Sequence, residues 1–187
     1  MAAVRDGDVA RLAALFERHH LGVFDYLVRM TGDRTLAEDL VQDVFVRVLR
    51  YRQTFRDDGR FDTWLFRIAR NARADHYRAR RATASFDDGG VPEPNDPAPG
   101  PAVALERDRD LERLRRALLD LRDDQRELIV LARYRGMTHD QIGELLGVEP
   151  GTVKVRLHRA VRQLRTIFLG LPETTPWTAT TSPRLHH

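Results

Sequence analysis

Apolar residues recur at three- and four-residue steps along most of this chain, and no useful stretch alternates apolar with polar residues. That period predicts helices and no sheet, hence an all-α protein. The first predicted helix starts near Asp8, read as its cap, and runs through Leu12, Leu15, Phe16 and Val23 towards Met30. Gly32-Asp33 breaks it, and a second runs from about Thr35 to Arg52 with Leu36, Ala37, Leu40, Val41, Val44 and Val48 as its core stripe. After a loop at 53–60, a third begins at Asp62, read as an N-cap, and continues to about Arg81, with Trp64, Leu65, Ile68, Ala72 and Ala79 inward. Two further helices, from Leu105 to Leu121 and from Asp124 to Arg135, precede a Gly-containing pair. In that pair Thr138 caps the first helix, Ile142, Leu145 and Leu146 face the core, and Gly147 stops it because glycine takes the left-handed conformation cheaply. Pro150 and Thr152 suit the opening of the next helix, which carries Val153, Leu157, Ala160, Val161 and Leu164 on its core side. Two helices about such a turn are the layout of a helix-turn-helix, whose second helix enters the DNA major groove.

Composition divides this helical pattern in two. Five of the nine prolines lie between Pro92 and Pro101, and residues 82–104 hold Asp87, Asp88, Glu93 and Asp96 without a base. Such a segment cannot bury a core and reads as a flexible, acidic, Pro-rich linker. The expected organisation is a small helical domain at 8–81, the linker at 82–104, a helix-turn-helix domain at 105–169 and a loose Pro/Thr-rich tail at 170–187. The closing His186-His187 reads as tail, and no metal or cofactor site is expected. The 187 residues are 42% hydrophobic and 32% charged with a net charge of +3, which excludes a uniformly basic coat. There is no cysteine, so disulfides, zinc fingers and thiol catalysis are excluded. With no apolar signal core and no run of membrane-spanning length, the expectation is a cytoplasmic chain without membrane insertion.

Charge is concentrated instead of spread. On the second helix of the pair, Lys154, Arg156, Arg159, Arg162 and Arg165 stand without an acid, a local +5. A merely solvated face normally mixes signs, so this one points to nucleic acid. Arg159 is placed for a guanine edge, and the outward Val155 for a thymine methyl. Lys154 and Arg156 suit phosphates, and His158 suits either role or plain solvent. The third helix is similar: residues 60–81 hold seven arginines against Asp62 and Asp75, with Phe66 and Tyr77 among Arg67, Arg70, Arg73 and Arg78. Basic groups interleaved with rings suit an unstacked strand, whereas the bland reading is a solvated arginine face with Phe66 and Tyr77 as partial core. The second helix differs. Asp39, Gln42, Asp43 and Arg50 form a polar strip beside Phe45, Val46 and Leu49, which fits either a protein-docking surface or extra core packing. The carboxylate pairs Asp57-Asp58, Asp87-Asp88 and Asp123-Asp124 lack a partnered histidine or a phosphate loop, so they read as turn and cap residues and not as an enzyme's.

Three segments together resemble the bacterial sigma factors of RNA polymerase, in the small two-domain extracytoplasmic-function group. They are AEDLVQDVFVRVLR (Ala37 to Arg50), TFRDDGRFDTWLFRIARN (Thr54 to Asn71) and GTVKVRLHRAVRQLR (Gly151 to Arg165). The first two are similar to sigma region two, and residues 111–168 to region four. The resemblance implies that Asp39, Gln42, Asp43, Phe45, Val46 and Arg50 dock on the clamp helices of the polymerase β′ subunit. It implies that the loop from Phe55 to Phe61, with Arg60, captures a flipped base of the opened minus-ten element. Trp64, Arg67, Arg70, Asn71, Asp75 and Arg78 would line the strand. Region four would read the minus-thirty-five element as duplex through Thr152, Lys154, Val155, Arg156, His158, Arg159 and Arg162, while its outer apolar surface rests on the β flap. Core RNA polymerase and promoter DNA are the implied partners, with an anti-sigma protein common in the group. Two departures stand out: Val155 replaces a frequent serine, and Leu121-Arg122 replaces a usual Leu-Pro. The alternative is an autonomous helix-turn-helix regulator, which leaves the basic-aromatic helix and the acidic strip unused.

Overall fold

The computed structural model describes residues 1–8, 10–56, 60–84 and 102–171. Among them every regular element is helical. A short α1 (Ala2–Arg5) precedes α2 (Arg11–Thr31), α3 (Arg34–Arg50) and α4 (Phe61–Ala84), with one 3₁₀ turn at Arg52–Thr54. Beyond 85–101 come α5 (Ala102–Leu119), α6 (Asp123–Ile129), α7 (His139–Leu146) and α8 (Pro150–Gly170). Most of the acidic linker and the tail beyond Leu171 therefore lie outside the described residues, and helix occupies both margins of the 82–104 segment.

Local chemistry sets the helix ends, not always where the pattern placed them. Asp8 does not cap α2, which begins at Arg11 after an Ala10 N-cap without a side-chain bond; Asp8 instead pairs with Arg11 at 3.4 Å. Gly32 ends α2 at φ 75°, and the Asp33 carboxylate accepts from Leu36 N at 3.0 Å to start α3. Asp62 lies inside the first turn of α4, where its charge favours the helix dipole, and is not the cap. The expected helix at Asp124–Arg135 begins one residue earlier and gives way after Ile129 to a π turn at Val130–Tyr134. Thr138 and Gln141 form a complete capping box at the start of α7, and Gly147 closes it at φ 69°. Gly143 has a different reason: a Cβ there would stand 2.6 Å from the Val148 carbonyl oxygen, so the turn into α8 requires a bare backbone.

α2, α3 and α4 pack as one bundle around Val23, Leu27, Val44, Val48, Leu65 and Ala69, all fully buried. α5 to α8 close around Ile142, Val153, Leu157 and Ala160. Val161 departs from the helical-wheel expectation; it lines an open apolar groove with Leu111 and Leu114 of α5 and is 38% exposed. The two bundles then meet, and their buried residues join in one continuous cluster. The Arg126 guanidinium stitches them, donating to Met30 O at 2.7 Å across the boundary and to the carbonyls of Leu118, Leu119 and Leu121 on its own side. Gly32 admits the Leu119 side chain, whose Cδ1 is 3.0 Å from where a Cβ would be. Arg29 lies over the Tyr134 ring at 3.7 Å, and Arg135 over Phe66 at 5.3 Å.

Candidate nucleic-acid interface

α8 shows its charges openly. Lys154, Arg156, His158, Arg159, Arg162 and Arg165 are all exposed, and none of these basic groups has an ion pair among the described residues. Val155 is 51% exposed in their midst, and Thr152 is half-buried one turn earlier. Pro150 and the left-handed Gly147 set the entry of this helix, while Val153, Leu157 and Ala160 pin its inner face. A helix held on one side and bearing unpaired guanidinium groups on the other can enter a major groove and contact phosphates and base edges together.

α4 has a different surface. A polar cleft of about 650 Å³ opens beside its start, lined by Thr54, Phe55, Arg56, Arg60, Trp64, Arg67 and Glu144. Phe55 and Trp64 form its aromatic wall and Phe61 packs on both, with ring centroids 5.5–6.0 Å apart. The Trp64 indole donates to Thr54 Oγ1 at 3.2 Å. His19 supports the wall edge-on to Phe61, and burial holds its pKa below 6.5 against the opposing pull of Asp62 at 3.3 Å. Residues 57–59 of the expected base-capturing loop lie outside the described residues. A cleft with cationic and aromatic walls has the chemistry to stack and neutralise a single strand.

Arg67 at the cleft and Arg70, Arg73 and Arg78 along α4 are each occupied. Arg67 reaches the Glu144 carbonyl at 3.2 Å and its carboxylate at 3.9 Å. Arg70 holds Glu127 Oε2 at 3.2 Å, while the buried Tyr26 hydroxyl donates to Glu127 Oε1 at 2.8 Å. Burial and the Glu127 charge raise the Tyr26 pKa well above its ordinary value, so the phenol keeps the proton it donates. Arg73 grips Asp123 with both Nη atoms at 2.5 and 2.6 Å. Burial alone would lower the Arg73 pKa, but the Asp123 bonds raise it; the same bonds take the Asp123 carboxyl below 3.8 despite its partial burial. Arg73 was expected among outward arginines and is 7% exposed. Phe66 is likewise not on that face; it is 3% exposed and packs edge-on to Tyr26 at 5.3 Å. Asn71 and Arg78 are exposed, and Asp75 is bound by Arg78 and by Arg47 of α3, the latter at 2.5 Å.

On α3, Asp39, Gln42, Val46 and Arg50 are exposed, with Val46 at 66%. Phe45 does not belong with them: it is 6% exposed and sits edge-on to Phe16 at 4.9 Å, so the wheel placed it one face too far out. Asp43 is tied to Arg47 at 3.0 Å, which makes it part of the α3–α4 clamp. Sequence reasoning missed Arg47, Arg126, Tyr26 and Glu127. Each also has a partner distant in sequence, up to 101 residues away, which local periodicity does not give.

An all-helical chain with a helix-turn-helix and two basic surfaces, one of them cleft-lined and aromatic, is a DNA-binding protein of transcription. The sigma-70 region 2 family matches residues 15–83, and the sigma-70 region 4 family matches residues 111–164. The RNA polymerase sigma factor CarQ of Myxococcus xanthus is 38% identical over 90% of this chain and 95% of its own. The ECF RNA polymerase sigma factor SigL of Mycobacterium tuberculosis is 37% identical over 84% and 89%. Among solved structures, RpoE of Bartonella quintana, in complex with the anti-sigma factor NepR, superposes with a TM-score of 0.72 at 26% identity, covering 84% of this chain and 96% of that one. CnrH in complex with the cytosolic domain of CnrY gives 0.67 at 28% identity over 89% and 92%. The chain belongs to the sigma-70 family of RNA polymerase sigma factors, in the extracytoplasmic-function group, and directs promoter-specific transcription initiation. No helix among the described residues is long and apolar enough to cross a membrane.

Proposed function

We propose that the two basic surfaces divide the promoter between them. α8 reads the minus-thirty-five element as duplex, with Arg159 and Val155 at base edges, and Thr152, Lys154, Arg156, His158 and Arg162 setting register on the backbone. The cleft at Phe55, Arg60, Phe61, Trp64 and Arg67 captures an unstacked minus-ten base, and Arg70, Asn71 and Arg78 follow the strand. Melting comes from tighter binding to the opened strand than to the duplex, without covalent chemistry by this chain. The exposed strip Asp39, Gln42, Val46 and Arg50 docks on the β′ clamp helices, and the apolar groove of Leu111, Leu114, Val161, Leu164 and Phe168 between α5 and α8 receives the β flap. An anti-sigma protein is a further partner, as in the Bartonella quintana structure solved with one. Work in the cytoplasm follows from these partners.

The observation that carries this reading is the α8 face, a row of exposed basic residues with no acid to neutralise it. Run-off transcription with core bacterial polymerase on genomic fragments tests it. The chain is expected to direct initiation at discrete start sites. Arg159→Ala should weaken promoter binding by about 1–3 kcal/mol, through the upstream element alone. Specific promoter binding by the free chain, unchanged by polymerase, would instead establish an autonomous regulator.

A further inference from the structure

We infer that His19 of α2 is a positioning residue for base capture: it holds Phe61, and through Phe61 the Phe55 and Trp64 wall, where an unstacked base can seat. The inference rests on the proposed role of that cleft. Phe55 and Trp64 line the cleft, and Phe61 meets them at 6.0 and 5.9 Å between ring centroids. The His19 ring meets Phe61 at 4.9 Å and 68°, so four rings form one connected group running from α2 to the cleft. The same imidazole places Nδ1 3.3 Å from Asp62 Oδ1. Contacts to two consecutive residues fix both the place of the ring and its rotation. They do so in the first turn of α4, immediately after Arg60 of the cleft. The rest of the wall is tied separately. Arg5 donates to Phe55 O at 3.5 Å and Gln53 to Arg5 O at 2.8 Å, while the Trp64 indole is held by Thr54.

The His19 side chain is 20% exposed, and most of its surroundings oppose a proton. Burial is the largest influence and takes its pKa below 6.5. Asp62 of α4 pulls it up, while Arg18 of α2, Arg135 after the π turn and the Met1 amino group push it down. Arg135 comes close because Gly22, one turn along α2, leaves room for its guanidinium, which an added Cβ would strike. At neutral pH the wall is therefore backed by a neutral imidazole, which packs on Phe61 without a charge to hydrate. A protonated ring in that place gains more from water than from Phe61, so it turns outward and the wall loses its support. His20 is the contrast on the same helix. Its ring stacks on Phe16 at 4.7 Å, with Nδ1 2.9 Å from Phe16 O, and not on the wall.

The test uses the full chain. Trp64 and Trp177 are its two tryptophans, so in a Trp177→Phe background acrylamide quenching of fluorescence reads the wall directly, without DNA. His19→Ala should raise the quenching and His20→Ala should not. His19→Phe, which returns a ring without a titrating group, should restore the wild-type value. Lowering the pH from about 7.5 to about 5.5 should raise quenching where His19 is present and leave His19→Phe level. In parallel, promoter opening by holoenzyme is read by permanganate reactivity and the upstream contact by footprinting. Opening should slow about tenfold in His19→Ala, the worth of one base-stacking contact, with the upstream footprint kept and His19→Phe near wild type. Unchanged quenching or unchanged opening in His19→Ala would overturn the positioning role. So would a His19→Phe variant that behaves like His19→Ala or titrates like the wild type. Trp64→Ala tests the reading beneath it: loss of melting keeps the strand reading whatever His19 does, and normal melting would sink both.

Discussion

α4 and α8 are both arginine-rich amphipathic helices, yet their arginines are in opposite electrostatic states. On α4, Arg67, Arg70 and Arg73 each face a group from the other region, and Arg73 is buried against Asp123. On α8, Lys154, Arg156, Arg159, Arg162 and Arg165 stand in solvent without a carboxylate among the described residues. A basic helical face thus means two things. Where a rigid fork meets fixed oxygens, arginine joins two parts of a fold; where it meets none, its charge is available to a ligand. Partners decide which, and partners distant in sequence leave no trace in periodicity.

The comparison breaks most completely if α8 loses its seating while α4 keeps its own. Gly143→Ala does this, because the added methyl must enter the space held by Val148 O. Overpacking of this kind costs up to about 3 kcal/mol. Thermal denaturation should show region four destabilised, and footprinting should show loss of the upstream contact. An unchanged Tm would mean that the turn relaxes freely and that Gly143 does not fix the approach of α8.

A smaller effect sharpens the same contrast. Arg73→Ala should lower unfolding stability by about 2 kcal/mol, since it removes two charge-assisted bonds from a guanidinium with little access to water. Arg159→Ala should change stability by less than about 0.5 kcal/mol, as expected for an exposed side chain with no partner. Denaturant titrations of the two variants decide it. Equal losses would erase the distinction between fold arginines and ligand arginines.

Much of this was legible before the structure. Thr138, Gly147 and Pro150 placed the helix-turn-helix within a residue, because capping chemistry is local and stereochemically strict. The free face of α8 was legible too, since its basic residues fall opposite the buried Val153, Leu157 and Ala160, although the wheel misplaced Val161. The wheel failed where a helix is covered on two sides. Phe45 and Phe66 were placed outward, but a third element packs on each, Phe16 of α2 on one and Tyr26 of α2 on the other. Asp43 is half-exposed and paired with Arg47 one turn along α3, and what was not legible is that the same Arg47 also binds Asp75 of α4. The closure of the two regions was not legible at all. Tyr26 and Glu127 meet across 101 residues, through a pairing that only the assembled fold supplies.

The smallest expected effect probes the difference between a free and a paired cation most directly. An unpaired arginine that binds a phosphate displaces a mobile counterion from the DNA, so each such contact adds to the salt dependence of binding. Arg162 is exposed and unpaired, and Arg162→Ala should reduce the slope of log binding constant against log salt for holoenzyme on promoter duplex by about 1. Arg78 is just as open to solvent but is held by Asp75, which also binds Arg47. Its charge is already balanced by a carboxylate, so a phosphate contact must first break that pair. Arg78→Ala should therefore change the slope of duplex binding less than Arg162→Ala, and affect the melted complex instead. Equal slope changes in the two variants would mean that the Asp75 pair dissolves whenever DNA arrives, and the division of these arginines by their partners would not survive binding.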